Sequence, residues 1–254
     1  MPASSPTFFQ PHRTILTPPR TPPSIHGQSA VRVEVVIMTV VNSDLKVMVE
    51  KRIEQPFRGT WALPGDFVSI NTEKNQGEDL CTAAKRVLRS ATGMNDTNRF
   101  LEQIYTFGRA GRDPRMRVVS VAWCALVPPE LFDGQTNSTV QWFSVSEEAP
   151  WIRLAFDHAE ILEMGTQHLR NRIDHSTLAF ELVPPTFTVG ELRDVYDAIM
   201  SKRYDPRNFR RRFQRMLTSG LVEAASGKRH LGKSRPAKVW RLSKQIDEKV
   251  SKGS

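Results

Sequence analysis

Two stretches of this sequence carry residue types at spacings that can do chemistry. The first is WALPGDFVSINTEKNQGEDLCTAAKRVLRSATGM (61–94), which reads like a strand and loop opening a phosphate-handling site, followed by a helix. A helix that holds a divalent ion against a diphosphate needs several carboxylates, because hard cations take oxygen ligands. Between Leu80 and Asn95 there is no Asp or Glu; Asp66, Glu78 and Asp79 lie nearby. That is a poor clamp, so no catalytic residue and no metal-ligand set is expected. The helix offers Lys85, Arg86 and Arg89 instead, types that attract phosphate or form a solvated face. Downstream, IYTFGRAGRDPRMRVVSVAW (104–123) places Arg109, Arg112, Arg115 and Arg117 within ten residues. Arginine forks match phosphate oxygens, and the glycines let backbone approach closely.

The second stretch is DPRNFRRRFQRMLTSG (205–220). Phe209, Phe213, Met216 and Leu217 fall on one side of a helix, which leaves Arg207, Asn208, Arg210, Arg211, Arg212, Gln214 and Arg215 for the other faces. Arginine and asparagine near a helix N-terminus can read base edges in a major groove. A following loop, SGKRHLGKSRP, brings Lys228, Arg229, His230, Lys233 and Arg235, suited to phosphate or minor-groove contact. The absence of an aromatic platform favours duplex DNA over single-stranded RNA. Asp157-His158 in LAFDHAEIL is a lone histidine beside a helix N-cap position; a structural role is expected for it.

Positioning these groups takes two kinds of scaffold. VRVEVVIMTVV and LKVMVEKR flank the turn-like Asn42-Ser43-Asp44 and predict a hairpin; RVVSVAWCALV and TVQWFSV predict further strands. Leu80, Ala84, Val87, Leu88 and Ala91 recur at helical spacing, with Gly93 placed to end the helix. From Trp151 onward the pattern turns helical. One amphipathic helix runs from Asp157 to about Arg172, a second starts at Thr188 with Glu191 completing a capping box, and a third starts at Asp205-Pro206. Two short strands, LVEA and AKVWRLS, follow. The expected division is a proline-rich disordered arm (1–30), an α/β sandwich with one embedded helix (31–152), a mostly α winged helix-turn-helix (153–245) and a flexible tail (246–254).

Charge follows the same division. The chain has a formal net charge of +9, yet residues 186–254 hold 17 Lys and Arg against 7 Asp and Glu, and the rest is nearly neutral. A polyanion partner is therefore expected for the C-terminal part. The longest apolar runs are far short of the roughly 20 residues of a membrane helix. Cys81 and Cys124 lie in apolar patterns without metal spacing and read as buried free thiols of a reducing compartment.

WALPGDF, Glu78 and AAKRVLRSATGM together resemble the Nudix box, with Arg86 and Gly93 at the family's arginine and glycine. The family's three metal-binding glutamates then fall on Val87, Ser90 and Ala91. YTFG, GRDPR and RVVSVA, with KRIEQPFRGTWALPG (51–65), resemble the ADP-ribose-handling branch of that family. The resemblance implies an effector pocket using Arg52, Phe57, Trp61, Gly65, Arg86, Arg112, Asp113 and Arg115, with Phe57 or Trp61 able to stack on adenine. FTVGELRDVYDAI, DPRNFRRRF and LAFDH extend the likeness to the Nudix-related transcriptional regulators of NAD metabolism, of the NrtR and NadQ type. That implies an α/β Nudix sandwich followed by a winged helix, and a cytoplasmic, nucleoid-associated bacterial homodimer. Such a protein represses NAD synthesis or salvage genes from operator DNA and is released by ADP-ribose. The long loop after Gly65 and Asp66 departs from the family pattern and leaves ATP or another adenine nucleotide open as the effector. Two alternatives stay open at this stage. One is a pyrophosphatase using Glu78, Asp66 and Asp79; the other is a DNA-binding protein whose Nudix fold serves only dimerisation.

Overall fold

The computed structural model describes residues 29–71, 76–94, 100–134, 138–146, 153–229 and 236–243. The arm at 1–28, the tail from 244, and His230, Lys233 and Arg235 lie outside the described residues. In chain order, β1 (Ala30–Val41) and β2 (Asp44–Lys51) form the expected hairpin, paired Val41 to Asp44. Asn42 and Ser43 both take positive φ (52° and 58°), the left-handed pair that a tight hairpin turn with matching twist requires. Short strands β3 (Trp61–Ala62), β4 (Gly65–Phe67), β5 (Ile70–Asn71) and β6 (Gln76–Gly77) lead to α1 (Leu80–Thr92). Then come β7 (Leu101–Phe107), β8 (Val118–Leu126), α2 (Glu130–Gly134) and β9 (Val140–Ser144). Helix α3 (His158–Arg172), a 3-10 turn at Leu178–Leu182, α4 (Val189–Met200), α5 (Pro206–Thr218), β10 (Val222–Arg229) and β11 (Ala237–Leu242) complete the chain.

The central sheet runs β3-β2-β1-β8-β7, with β4 also on β1 and β9 on β2. β1 and β8 are parallel; the other pairs are antiparallel. Both central strands are buried on both faces, which explains why they read as continuous apolar runs rather than alternating ones. Val33, Val35 and Ile37 of β1 pack with Ala83, Ala84, Val87 and Leu88 of α1. Val36 and Met38 turn the other way and join Ile161 and Leu169 of α3. At about 25 cal/mol per Å², each fully buried Ile or Leu here contributes roughly 1.5–3 kcal/mol. Gly93 ends α1 at φ 69°, its N–H donating to Arg89 O at 2.8 Å.

Helix α3, which the sequence spacing assigned to the C-terminal domain, forms the second face of the sandwich. Gly165 makes this approach possible: a β carbon there would lie 3.1 Å from Val36 Cγ2. Helical spacing defines a buried stripe but not its partner, and here the stripe meets both the sheet and the C-terminal helices. Cys124 is buried as expected, and burial, with Glu102 nearby, raises its thiol pKa. Cys81 is exposed, contrary to expectation, because it sits off the Leu80–Ala84–Val87–Leu88 stripe on the outer side of α1. Among the described residues no helix is long and apolar enough to cross a membrane.

The C-terminal elements share a core with α3. The apolar cluster continues from Ile161 and Leu169 through Leu178 and Leu182 to Leu192, Phe209, Phe213 and Val222. The capping box at α4 is present in both halves: Thr188 Oγ1 accepts from Glu191 N at 3.2 Å, and Glu191 Oε2 accepts from Thr188 N at 2.7 Å. The β10–β11 hairpin pairs Val222 with Leu242 and Arg229 with Ala237.

Candidate functional site

Where β1, β4, the 52–60 loop and the start of α3 converge, guanidinium groups and aromatic rings alternate. Arg32 lies 4.8 Å from the Phe67 ring centre, and Arg52 lies 4.8 Å from that of Phe156. Arg115 reaches both rings, at 5.8 and 5.7 Å. Phe57 meets Phe156 edge-on at 4.9 Å. Both of these phenylalanines hold left-handed backbones, with φ of 64° and 54°. Bulky residues rarely adopt that conformation, and such strain collects at functional sites. Gly65 lets β4 close onto β1, since a β carbon would sit 2.7 Å from Val33 O.

The charges are unequally matched. Arg32 pairs with buried Glu34 at 3.1 Å, and Arg115 with Asp113 at 2.7 Å. Arg52 donates to main-chain carbonyls, Pro56 O at 2.8 Å and Glu54 O at 3.4 Å. Burial first, then neighbouring Arg115 and Arg32, push its guanidinium below the ordinary value. Three mutually repelling cations between aromatic faces favour a ligand that is anionic and planar in different parts. A cleft of about 320 Å³ opens beside Phe57, Gly111, Pro114 and Phe156. A second, of about 560 Å³, lies between Tyr105, Phe107 and Met164. A further cleft, about 1090 Å³, is elsewhere, between the Asn42–Asp44 turn and the α4–α5 connection.

Several expected effector residues have other occupations. Arg112 is buried and forms a two-pronged pair with Asp157 at 2.8 and 2.5 Å, while its Nη1 donates to Ser120 Oγ at 2.5 Å. Its side chain therefore braces the site rather than offering a free fork. Arg86 is held by Glu78, by Asp66 at 2.7 Å and by Phe67 O at 2.9 Å. That pairing holds the Glu78 carboxyl at about 2, well below its usual range. Trp61 leans on Phe143 at 5.6 Å, away from the Phe67 and Phe156 rings. Phe57, Gly65, Asp113, Arg115 and Arg52 do converge. Arg32, Glu34, Phe67 and Phe156 were missed. The signal for Arg32 and Glu34 was present, as two charges at alternate positions of an otherwise apolar strand; nothing local marked Phe67 or Phe156.

A Nudix metal does not fit the residues present. Val87 is 5% exposed in the core, Ser90 and Ala91 bring no carboxylate, and Asp66 and Glu78 are tied to Arg86. Among the described residues no three His, Cys, Asp or Glu side chains come together to hold a metal ion. His158 Nδ1 accepts the Leu63 amide at 2.9 Å, deep in the core, in agreement with the structural role expected for it.

The second surface is α5. Asp205 caps it by accepting from the Arg207 and Asn208 amides, and Pro206 occupies the first turn. Phe209 packs on Tyr196 at 5.3 Å and Phe213 on Trp240 at 5.2 Å. Arg207, Asn208, Arg210, Arg211 and Arg215 remain exposed, as does Lys228 at the hairpin. Arg212 does not join them. It stacks over Tyr196 at 4.6 Å and pairs with Asp174 at 2.6 Å, because its position in the helix turns it toward α4 and the end of α3. Arg229 is likewise engaged, with Glu191 at 2.5 Å and Thr186 O at 2.8 Å.

The model of the NrtR DNA-binding winged helix domain matches residues 179–242. Shewanella oneidensis NrtR, in a crystal structure complexed with a 27mer DNA, superposes with a TM-score of 0.70 at 28% identity, over 84% of this chain and 93% of that one. Fold and site thus define a Nudix sandwich joined to a winged helix. The ADPR responsive transcriptional repressor NtrR of Acinetobacter baylyi is 33% identical over 215 residues, 84% of this chain and 82% of the relative. The chain belongs to this NrtR family of regulators. The chain also resembles the ADP-ribose pyrophosphatase of Methanocaldococcus jannaschii, 30% identical over 125 residues, 49% of this chain and 68% of that relative.

Proposed function

We propose that this protein is a DNA-binding transcriptional repressor that senses ADP-ribose, or a related adenine nucleotide, without hydrolysing it. What carries the reading is the join, in one chain, of a cationic aromatic pocket lacking a metal clamp to a recognition helix with exposed arginines. A relative that matches 84% of the chain is an ADPR responsive transcriptional repressor. Phe156 or Phe57 offers a face for adenine, and Arg52 and Arg115 are placed for the diphosphate. Arg207, Asn208 and Arg211 enter the major groove, while Arg210, Arg215 and Lys228 hold phosphates. The protein acts as a homodimer on an operator of two-fold character upstream of NAD synthesis or salvage genes.

The test is fluorescence anisotropy of duplex DNA from those upstream regions, at about 150 mM salt with excess random DNA, because non-specific binding is strong at low salt. ADP-ribose is then added to the complex. Specific binding that ADP-ribose weakens is the expected result; no preference over random DNA would refute the reading. The pyrophosphatase likeness supports a second reading, residual hydrolysis through Glu78 and Asp66. Magnesium-dependent release of AMP from ADP-ribose would establish it, and the Arg86 contacts to both carboxylates argue against it.

A further inference from the structure

The candidate pocket and the recognition helix lie at opposite ends of α3, and charged contacts lead into each end. On the pocket side, Arg32 stacks on Phe67 and donates to Glu34 Oε1 at 3.1 Å. Ser120 lies against Glu34 and accepts from Arg112. Arg112 in turn grips Asp157, the residue that opens α3. On the other side, Arg170 in the last turn donates to Ile199 O at 3.0 Å and Ser201 Oγ at 2.9 Å, holding the end of α4. Asp174, two residues beyond α3, pairs with Arg212 of the recognition helix at 2.6 Å. Between the two ends run 15 helical residues, about 22 Å of rigid rod at 1.5 Å per residue. Gly165, seated on Val36, keeps that rod against the sheet.

Resting on the repressor reading above, we propose that α3 is the connector that carries pocket occupancy to the recognition helix within one protomer. Arg112 and Asp157 fix its entry, and Arg170 and Asp174 position the DNA-binding end. An effector can act only by binding two arrangements unequally, so one contact near the pocket must have an alternative. The Arg32–Glu34 pair has one. Glu34 Oε2 is buried and, among the described residues, has no hydrogen-bond partner, so a ligand that shifts Arg32 on Phe67 lets that oxygen gain one. The shift reaches Asp157 through Ser120 and Arg112, and the far end of the rod bears on Ser201 and Arg212.

The experiment compares the full-length protein with Asp174→Asn and with the double variant Arg170→Gln/Asp174→Asn. None of these positions touches the pocket. The readout is the ratio of DNA affinity without and with saturating ADP-ribose, so a changed basal DNA affinity does not confuse it. The wild-type ratio is expected in the range typical of coupled sites, about 5- to 150-fold. It should fall by at least about threefold in the single variant and approach one in the double variant, with ADP-ribose affinity of the free protein kept within about twofold. Folded variants that keep the wild-type ratio would overturn the connector. A wild-type ratio of one overturns the sensor reading, and the connector with it, before any variant is made. If the double variant does not fold, hydrogen exchange on the wild type decides. ADP-ribose should change protection at residues 170–174 and 199–201, and a change confined to 112–117 would overturn the proposal.

Discussion

Asp157→Ala is the sharpest perturbation that the buried network offers. Arg112 and Asp157 are 3% and 4% exposed and share two hydrogen bonds. Although Asp157 is the N-cap residue of α3, its side chain makes no capping bond, so loss of a cap adds nothing to the cost. Removing the carboxylate strands a buried guanidinium with Ser120 as its remaining partner. Breaking such a pair from one side costs about 3–5 kcal/mol, which for a chain of this size lowers the melting temperature by roughly 6–20 °C. The double variant Arg112→Met/Asp157→Leu should recover most of that loss, because desolvating the two charges offsets much of their attraction. Urea unfolding followed by circular dichroism reads both. A cost below about 1 kcal/mol for Asp157→Ala would mean that the charge escapes to water, and would refute the burial argument.

Three further outcomes are expected. Thr188→Ala removes half of the capping box and should lower stability by about 0.5–2 kcal/mol in urea melts; an unchanged midpoint contradicts the cap assignment. His158 is held at about 3 by burial, with Arg32, Arg112 and Arg52 adding to the depression. The unfolded chain takes up its proton near 6.5 and the folded chain does not, so stability is lost as pH falls from about 6.5 toward 3, at about 1.4 kcal/mol per pH unit. His158→Gln, whose carbonyl can still accept the Leu63 amide, should remove one proton's worth of that slope in unfolding measured between about pH 4 and 6. Arg210→Ala should leave stability within about 0.5 kcal/mol and reduce the salt dependence of DNA binding by about one phosphate contact. An identical salt slope would place Arg210 off the DNA.

Much of the scaffold was legible because its signals are local. Asn42-Ser43 fixes a turn, Thr188 with Glu191 a helix start, and Asp205-Pro206 another; each needs only neighbours a few residues away. The site was less legible because its chemistry depends on partners far along the chain. Arg112 looks like a free fork until Asp157, 45 residues on, takes it. Arg212 and Arg229 look like DNA contacts until Asp174 and Glu191 claim them. Helix α3 was read correctly as a helix, but its stripe did not say that it faces a sheet. The strands of two and three residues around Gly65 left no periodicity to read, so Phe67 was not recognised as a pocket ring.

The single apolar cluster running from the sheet into the winged helix bears on how such a protein can be taken apart. Leu178, Ala179 and Leu182 lie between the Ile161–Leu169 face of α3 and the Leu192–Phe209 side of the basic half. A cut in the connection after α3 would leave greasy surface on both fragments. The DNA-reading half is therefore no interchangeable cassette. Grafting it onto another sensor would demand that the new host supply a matching apolar face, and exchange between lineages is easiest when α3 travels with it.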